Sequence, residues 1–394
     1  MAASAATPTP FQPDGRVVNP FLARSDAAAV AIRPTFTPNP TPYIAHFMLP
    51  TPVGLPSSED ASVAGLSPPN NPLTGLPASD PLRLDRRPMA VKVTNYPRYV
   101  RPQSGLTLAD VVFEYYIEDE LTRFIAIMYG NDSPRLGPVR SGRYFDEHVA
   151  RMYQAYYVFK YADPREFRYF KESDLQDDLI VPGNGACPPF VVGESRRDTY
   201  NNIFFNTTRF ATCLARSGLE NTRPALRSSF YSDQPVNGIA SGRRVYTRYS
   251  AEDYNYWEYV PEAQNYVRYQ EQADTRRGKP ESYARLTDAQ TGRPVTAENV
   301  VMLFVRHTFA NQFEEEDEVY HIDLVESGRA IIFRDGAALS GYWYRTEVDQ
   351  PLVLATALGT PIYLRPGATF FQVIGSTSSY VEEGGEWHFQ FRTP

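Results

Sequence analysis

The sequence predicts an α+β fold: a mixed α+β first domain, then a mostly antiparallel β second domain, behind a disordered Pro/Thr-rich arm. Three observations carry this. Of the 34 prolines, 16 fall within the first 81 residues. Between residues 89 and 219, strand-like runs trade places with helical spacing. Beyond residue 240 strand signals dominate, separated by Gly and Asp turns.

The arm comes first. Residues 33–42 read RPTFTPNPTP. Proline lacks the N–H a helix needs and clashes with the preceding turn, so this stretch is expected to stay extended and act as a spacer. No apolar run reaches the roughly 18 residues of a membrane span, and no charged segment precedes an apolar one as in a signal peptide. The opening MAASAATPTP reads as a trimmed or mature start whose membrane anchor is missing. The expected location is extracytoplasmic, anchored to the cell membrane. The expected organisation is a tether or linker over 1–70, an N-terminal α+β domain over 71–225, a junction over 226–240, a C-terminal β-rich domain over 241–378 and a tail over 379–394.

In the first domain, residues 89–94 (MAVKVT), 108–117 and 121–129 read as strands, the last two forming a hairpin around Glu118, Asp119 and Glu120. Residues 139–154 have helical spacing. A short strand at 156–159 follows, then helices at 164–171, with proline tolerated in the first turn, and at 207–219, near Gly218. The second domain offers strands at 244–249, 256–259, 265–269, 300–305, 320–324, 330–333, 340–345, 362–364 and 369–374, with Asp335-Gly336 as a hairpin turn.

Charge narrows the function. The net charge is −7 and no Lys/Arg block occurs, which argues against nucleic acid as the main partner. The acidic run at 314–318 lacks the spacing of a calcium loop and reads as a solvated connection. No metal and no cofactor is expected. His46, His307, His321 and His388 are scattered, and no HExxH, GxSxG or phosphate-binding loop occurs. Two cysteines, Cys187 and Cys213, could form one disulfide or stay as two buried thiols; geometry decides.

The richest chemistry lies between residues 95 and 148. Arg101, Gln103 and Ser104 follow the first strand. Asp110, Glu114, Glu118 and Arg123 lie on or beside the next two. Arg140, Ser141 and Arg143 are placed at the start of the helix that follows. The hairpin would set Glu114 against Arg123 as a bidentate pair. One reading makes the cluster a set of salt bridges that fix the arrangement. A second turns Arg140 and Arg143 into a cleft that binds a carboxylate or phosphate, helped by the helix N-terminus. A third makes Glu114 catalytic, with Asp110 or Glu118 as its partner.

These motifs resemble the YerB-like family, bacterial proteins of unknown function often made as lipoproteins. The resemblance rests on NPLTGLP at 71–77, RPQSGL at 101–106, ADVVFE at 109–114, LTR at 121–123 and GPVRS at 137–141 with Arg143 beyond. In the second domain it rests on YVR at 266–268, AENV at 297–300, GRA at 328–330 and GYW at 341–343. The chain departs from the family's pattern in two places. It has Glu118-Asp119-Glu120 where the family usually has a Gly-rich segment, and Tyr200-Asn201-Asn202 where a His usually precedes an Asn. The resemblance implies export, anchoring and paired domains, and brings no activity. The expected function is a cell-envelope binding or assembly module whose partner is an envelope polymer, an anionic ligand or an envelope protein. Its ligand residues would be Arg101, Gln103, Ser104, Glu114, Arg123, Arg140, Ser141 and Arg143. The alternative is a hydrolase of cell-wall or other envelope polymer using Glu114 with Asp110 or Glu118.

Overall fold

The computed structural model describes residues 70–394 except 79, 184–185, 194–199, 237 and 311–317. Apart from Asn70, the expected arm lies outside the described residues. So do residues 314–317 of the acidic run.

The first two expected strands and the third appear as β1 (Met89–Thr94), β2 (Val111–Tyr116) and β3 (Thr122–Met128). β3 pairs antiparallel with both of the others. β1 then runs parallel to Tyr156–Val158, which runs parallel to Leu179–Ile180. On its other side β2 lies parallel to Thr369–Gly375, a strand from the far end of the chain. That strand pairs with Asn299–Phe309, and the sheet continues through Glu326–Arg334, Ala337–Arg345 and Val353–Ala355. Among the described residues it has twelve strands and runs through both sequence domains. Every residue of β1, β2, β3 and Thr369–Gly375 is buried. A strand covered on both faces needs no polar alternation, which is why these segments read as near-continuous apolar runs.

Two layers cover this sheet. The helix Phe145–Met152 lies on one face, with Phe145 against Phe113 and Tyr115 at 6.3 and 4.4 Å between ring centres. On the other face lies a second sheet of seven strands, including Arg244–Arg248, Tyr254–Val260 and Asn265–Glu271. Trp257 from that sheet meets Phe370 at 4.8 Å. Its strands alternate buried and half-buried residues, as a sheet with one wetter face should.

Three expectations need correction. Residues 379–394 are not a tail. Ser379–Glu383 and Glu386–Gln390 form a hairpin, and Trp387, Phe389 and Phe391 are buried in the core; the alternating EWHFQ is a half-buried strand. Residues 362–364 form no strand, only an isolated bridge from Leu364 to Tyr231, with another at neighbouring Pro361. The helix expected over 139–154 starts at Phe145. Before it the chain stays extended. Val139 bridges Val93, the Arg140 N–H donates to the Lys92 carbonyl at 3.1 Å, and the Lys160 N–H donates to the Arg140 carbonyl at 2.9 Å. Sheet-edge hydrogen bonds thus outcompete the helical spacing. Cys187 and Cys213 are disulfide-bonded, with Cα atoms 5.4 Å apart.

Candidate functional site

The polar cluster expected as one site is divided by the sheet into separate places. Register decides this. Glu114 stands opposite Phe124, and Arg123 stands opposite Tyr115. Opposed residues share a face and neighbours alternate. Glu114 therefore faces the seven-stranded sheet while Arg123 faces the helix layer. The expected Glu114–Arg123 pair does not form.

Between the sheets, Glu114 accepts from Arg268 Nη2 at 2.7 Å, Gln372 Nε2 at 2.9 Å, Thr122 Oγ1 at 3.1 Å, and Asn95 and Asn255 at 3.5 Å. Arg268 spans Phe124, Trp257 and Phe370 at 5.0–5.4 Å. Its Nη1 has no hydrogen-bond partner, and the ring faces offer the charge compensation that a partner would. Asp253 accepts from the Thr122 N–H at 2.9 Å and hydroxyl at 2.7 Å. Burial, with the Glu114 charge beside it, pushes the Asp253 carboxyl up. Arg101 donates through Nη2 to Glu271 at 2.7 Å and through Nη1 to the Glu271 carbonyl at 2.8 Å. Burial and the Asp253 charge raise the Glu271 carboxyl to about 8 against the pull of Arg101. Gln103 is buried and donates to the Thr94 carbonyl at 3.2 Å. Ser104 donates to the Arg135 carbonyl. Only the outer rim of this network reaches solvent, at a cleft of about 330 Å³ lined by Arg98, Arg101, Glu271 and Arg285.

Asp110 stands apart, at the entry to β2. It accepts from Asn71 at 2.8 Å and from the Tyr129 and Gly130 N–H groups at 2.7 and 2.9 Å. Burial raises it to about 6 against those donors. Asn71 opens the NPLTGLP motif, which therefore ties the chain entry to β2 and β3.

The helix-side face gathers the rest. Asp146 accepts from Lys92 Nζ at 2.9 Å and from the Tyr115 and Tyr157 hydroxyls at 2.5 Å. It also accepts from the Arg143 N–H at 2.8 Å, which ties the chain just ahead of the helix to its first turn. Burial brings the Lys92 ammonium down to about 7 despite the Asp146 charge. Glu118 is gripped by both Nε and Nη2 of Arg143 and lies 3.6 Å from Arg123. Burial alone would raise Glu118; hydrogen bonding and charge from Arg143, with Arg123 behind, hold it at about 2. Arg123 reaches the Ser141 carbonyl at 3.0 Å. Gly142 is required here, because a Cβ would collide with the Tyr157 hydroxyl.

Arg140 is left over. Its guanidinium has no hydrogen-bond or ion-pair partner among the described residues, and its Nε is closed off from solvent. Burial and the neighbouring Arg143 charge both lower its pKa, with Glu118 opposing. Lys160 is lowered by burial and then by Arg140. Arg140 and Arg143 lie ahead of the helix and not in its first turn, so the expected help from the helix N-terminus does not apply to Arg140.

Sequence reading missed Asp253, Glu271, Gln372, Lys92 and Asp146. A signal was present for some. VVFEYY, NYVRYQE and TFFQVIG each carry polar residues inside an apolar strand, and Glu114, Arg268 and Gln372 meet between the layers. Among the described residues no group of acidic, His or Cys side chains is arranged to hold a metal.

Comparison with known proteins finds a family, a curated relative and a solved structure. Residues 73–220 match the family model described as "Protein of unknown function (DUF3048) N-terminal domain", and residues 245–371 match its C-terminal domain. Over 315 residues the chain is 26% identical to "Putative lipoprotein YerB" of Bacillus subtilis (strain 168), covering 77% of this chain and 85% of that protein. The crystal structure of YerB protein from Bacillus subtilis aligns with a TM-score of 0.63 at 23% identity, covering 77% of this chain and 96% of that one. That likeness shows a shared fold.

Proposed function

The chain belongs to the paired-domain DUF3048 family, and from that premise we propose that it is an extracytoplasmic envelope module that binds an anionic ligand at Arg140. The observation that carries this is the imbalance around Glu118. Arg143 occupies both carboxylate oxygens and Arg123 stands behind it, while Arg140 keeps a partly desolvated guanidinium with no anion of its own among the described residues. Such a group gains most from a carboxylate or phosphate brought from outside. Three facts support the location. The relative above carries a lipoprotein name. Cys187 and Cys213 form a disulfide, a bond that persists in oxidising compartments. The proline-rich first 70 residues have the composition of a spacer.

The hydrolase alternative needs two carboxyl groups roughly 5–10 Å apart on an open groove. Glu114 and Asp110 are buried and Glu118 is held by Arg143, so nothing in their placement favours it. The test is binding of purified envelope polyanions to the protein and to Arg140→Ala. Binding that is lost in the variant is expected. Equal binding by both, or turnover of the polymer that disappears in Glu114→Gln, would overturn the proposal.

A further inference from the structure

Lys92 and Asp146 meet in the core. Both side chains are fully buried, and Nζ lies 2.9 Å from Oδ1 of Asp146. β1 supplies the lysine and the helix Phe145–Met152 supplies the acid, so the pair bridges the large sheet and the layer above it. Two phenols close the site. The Tyr115 hydroxyl donates to Oδ1 of Asp146 and the Tyr157 hydroxyl to Oδ2, each at 2.5 Å. The Tyr115 hydroxyl also accepts from Lys92 Nζ, so it touches the amine and the carboxyl at once. Burial brings the Lys92 amine down to about 7, with the Arg123 and Arg143 charges adding to the push and Asp146 opposing it. Burial, with the Asp146 charge, pushes both phenols well above their usual range, so they remain donors. An amine nucleophile, a polarised carboxyl and a proton path thus share one dry site, which the anion-binding reading leaves unused.

We propose that Lys92 and Asp146 are a self-linking pair, which condenses to an amide between β1 and the helix. The ion pair first becomes a neutral amine and a carboxylic acid, by proton transfer across their contact. Nζ then attacks Cγ of Asp146, and the C–N bond forms while Tyr115 and Tyr157 hold the two oxygens. A proton leaves the nitrogen for the Tyr115 hydroxyl, which passes its own to Oδ1. The C–Oδ1 bond breaks, and the oxygen departs as water with two protons that began on the ammonium. The step needs no oxidant or reductant. In water, solvation of ammonium and carboxylate favours the separate ions; burial removes that solvation. Fixing the partners in contact replaces a collision between free molecules with an intramolecular step. Keeping bulk water out also protects the finished amide from hydrolysis.

Intact-mass measurement of the full chain, with its disulfide reduced, tests this. The parent is expected to be lighter than its sequence by one water. Trypsin is expected to release a branched peptide that joins the Lys92 segment to residues 144–151. Lys92→Met is expected to show its full sequence mass. Tyr115→Phe keeps the amine and the acid but removes the relay. It is expected to form the link about a hundredfold more slowly, followed as the fraction lighter by one water against time after synthesis. A folded parent at its full sequence mass would overturn the proposal and leave an ordinary buried ion pair. A water loss that maps to other residues, or persists in Lys92→Met, would overturn it too. Linking of Tyr115→Phe at the parent's rate would overturn the relay. Thermal unfolding establishes that the parent is folded. The branched peptide is read on the parent itself, so the test stands even where a variant does not fold.

Discussion

Glu114 and Arg268 lie 154 residues apart in the chain and meet at 2.7 Å with both side chains fully buried. One comes from the first family domain and the other from the second. Their pairing joins the two sheets beside the seam where β2 runs parallel to Thr369–Gly375. Arg268→Ala leaves the Glu114 carboxylate without its cation, which typically costs about 3–5 kcal/mol for a buried pair. Urea unfolding of the variant is expected to show a loss of that size. A loss under about 1 kcal/mol, the scale of an exposed pair, would mean the pair does not hold the seam.

Much of this fold was legible in the sequence, and the parts that were not have physical causes. MAVKVT and VVFEYY announce strands locally. What pairs with β2 on its other side does not, because Thr369–Gly375 arrives from more than 250 residues away. The site suffered the same way. Arg143, Glu118 and Arg123 sit within 26 residues, and the structure brings them into contact. Glu114 was assigned to Arg123 because a hairpin places them on neighbouring strands, but the register puts them one residue out of opposition and so on opposite faces. The Glu118-Asp119-Glu120 departure also has a structural meaning. Asp119 and Glu120 take φ of +59° and +61°, where a glycine-rich turn would be unstrained.

Acid sensitivity should separate Glu118 from its neighbours. Its carboxyl is held at about 2 against an ordinary 4.5. A lowered value means stability that is present above pH 4.5 and drains away as pH falls toward 2. Arg143→Ala is expected to cost ~2 kcal/mol near pH 7, discounted from the ~3–5 of a fully buried pair because the Glu118 side chain keeps 25% exposure. It should also flatten the stability profile between pH 5 and 2. A parallel profile, merely lower, would show that Glu118 draws its low value elsewhere.

Glu271 should act in the opposite direction. Burial and Asp253 raise its carboxyl to about 8 from an ordinary 4.5. The folded chain then keeps a proton that the unfolded chain releases, so this contribution is full below pH 4.5 and lost as pH climbs to 8. Glu271→Gln should lessen the fall in stability between pH 5 and 8, measured as urea midpoint against pH. An unchanged slope would contradict the assignment.

The disulfide spans a separation of 26 residues that includes the antiparallel pair Phe190–Val192 and Ile203–Phe205 and ends in the helix Phe210–Ser217. Replacing Cys187 and Cys213 together by alanine is expected to lower stability by about 2–4 kcal/mol. Thiol titration of the exported parent protein under denaturing conditions should find no free cysteine; two titratable thiols would contradict an oxidised native form.

The central claim is that Arg143 serves the fold and Arg140 serves a ligand. Thermal unfolding of Arg140→Ala beside the parent, with no ligand present, tests it most directly. Arg140 has no internal partner to orphan among the described residues, so the account predicts a change within about 0.5 kcal/mol, as for substitutions away from structural contacts. A loss of about 3–5 kcal/mol, the cost of an uncompensated buried charge, would show that Arg140 is paired inside the protein after all and would contradict the claim.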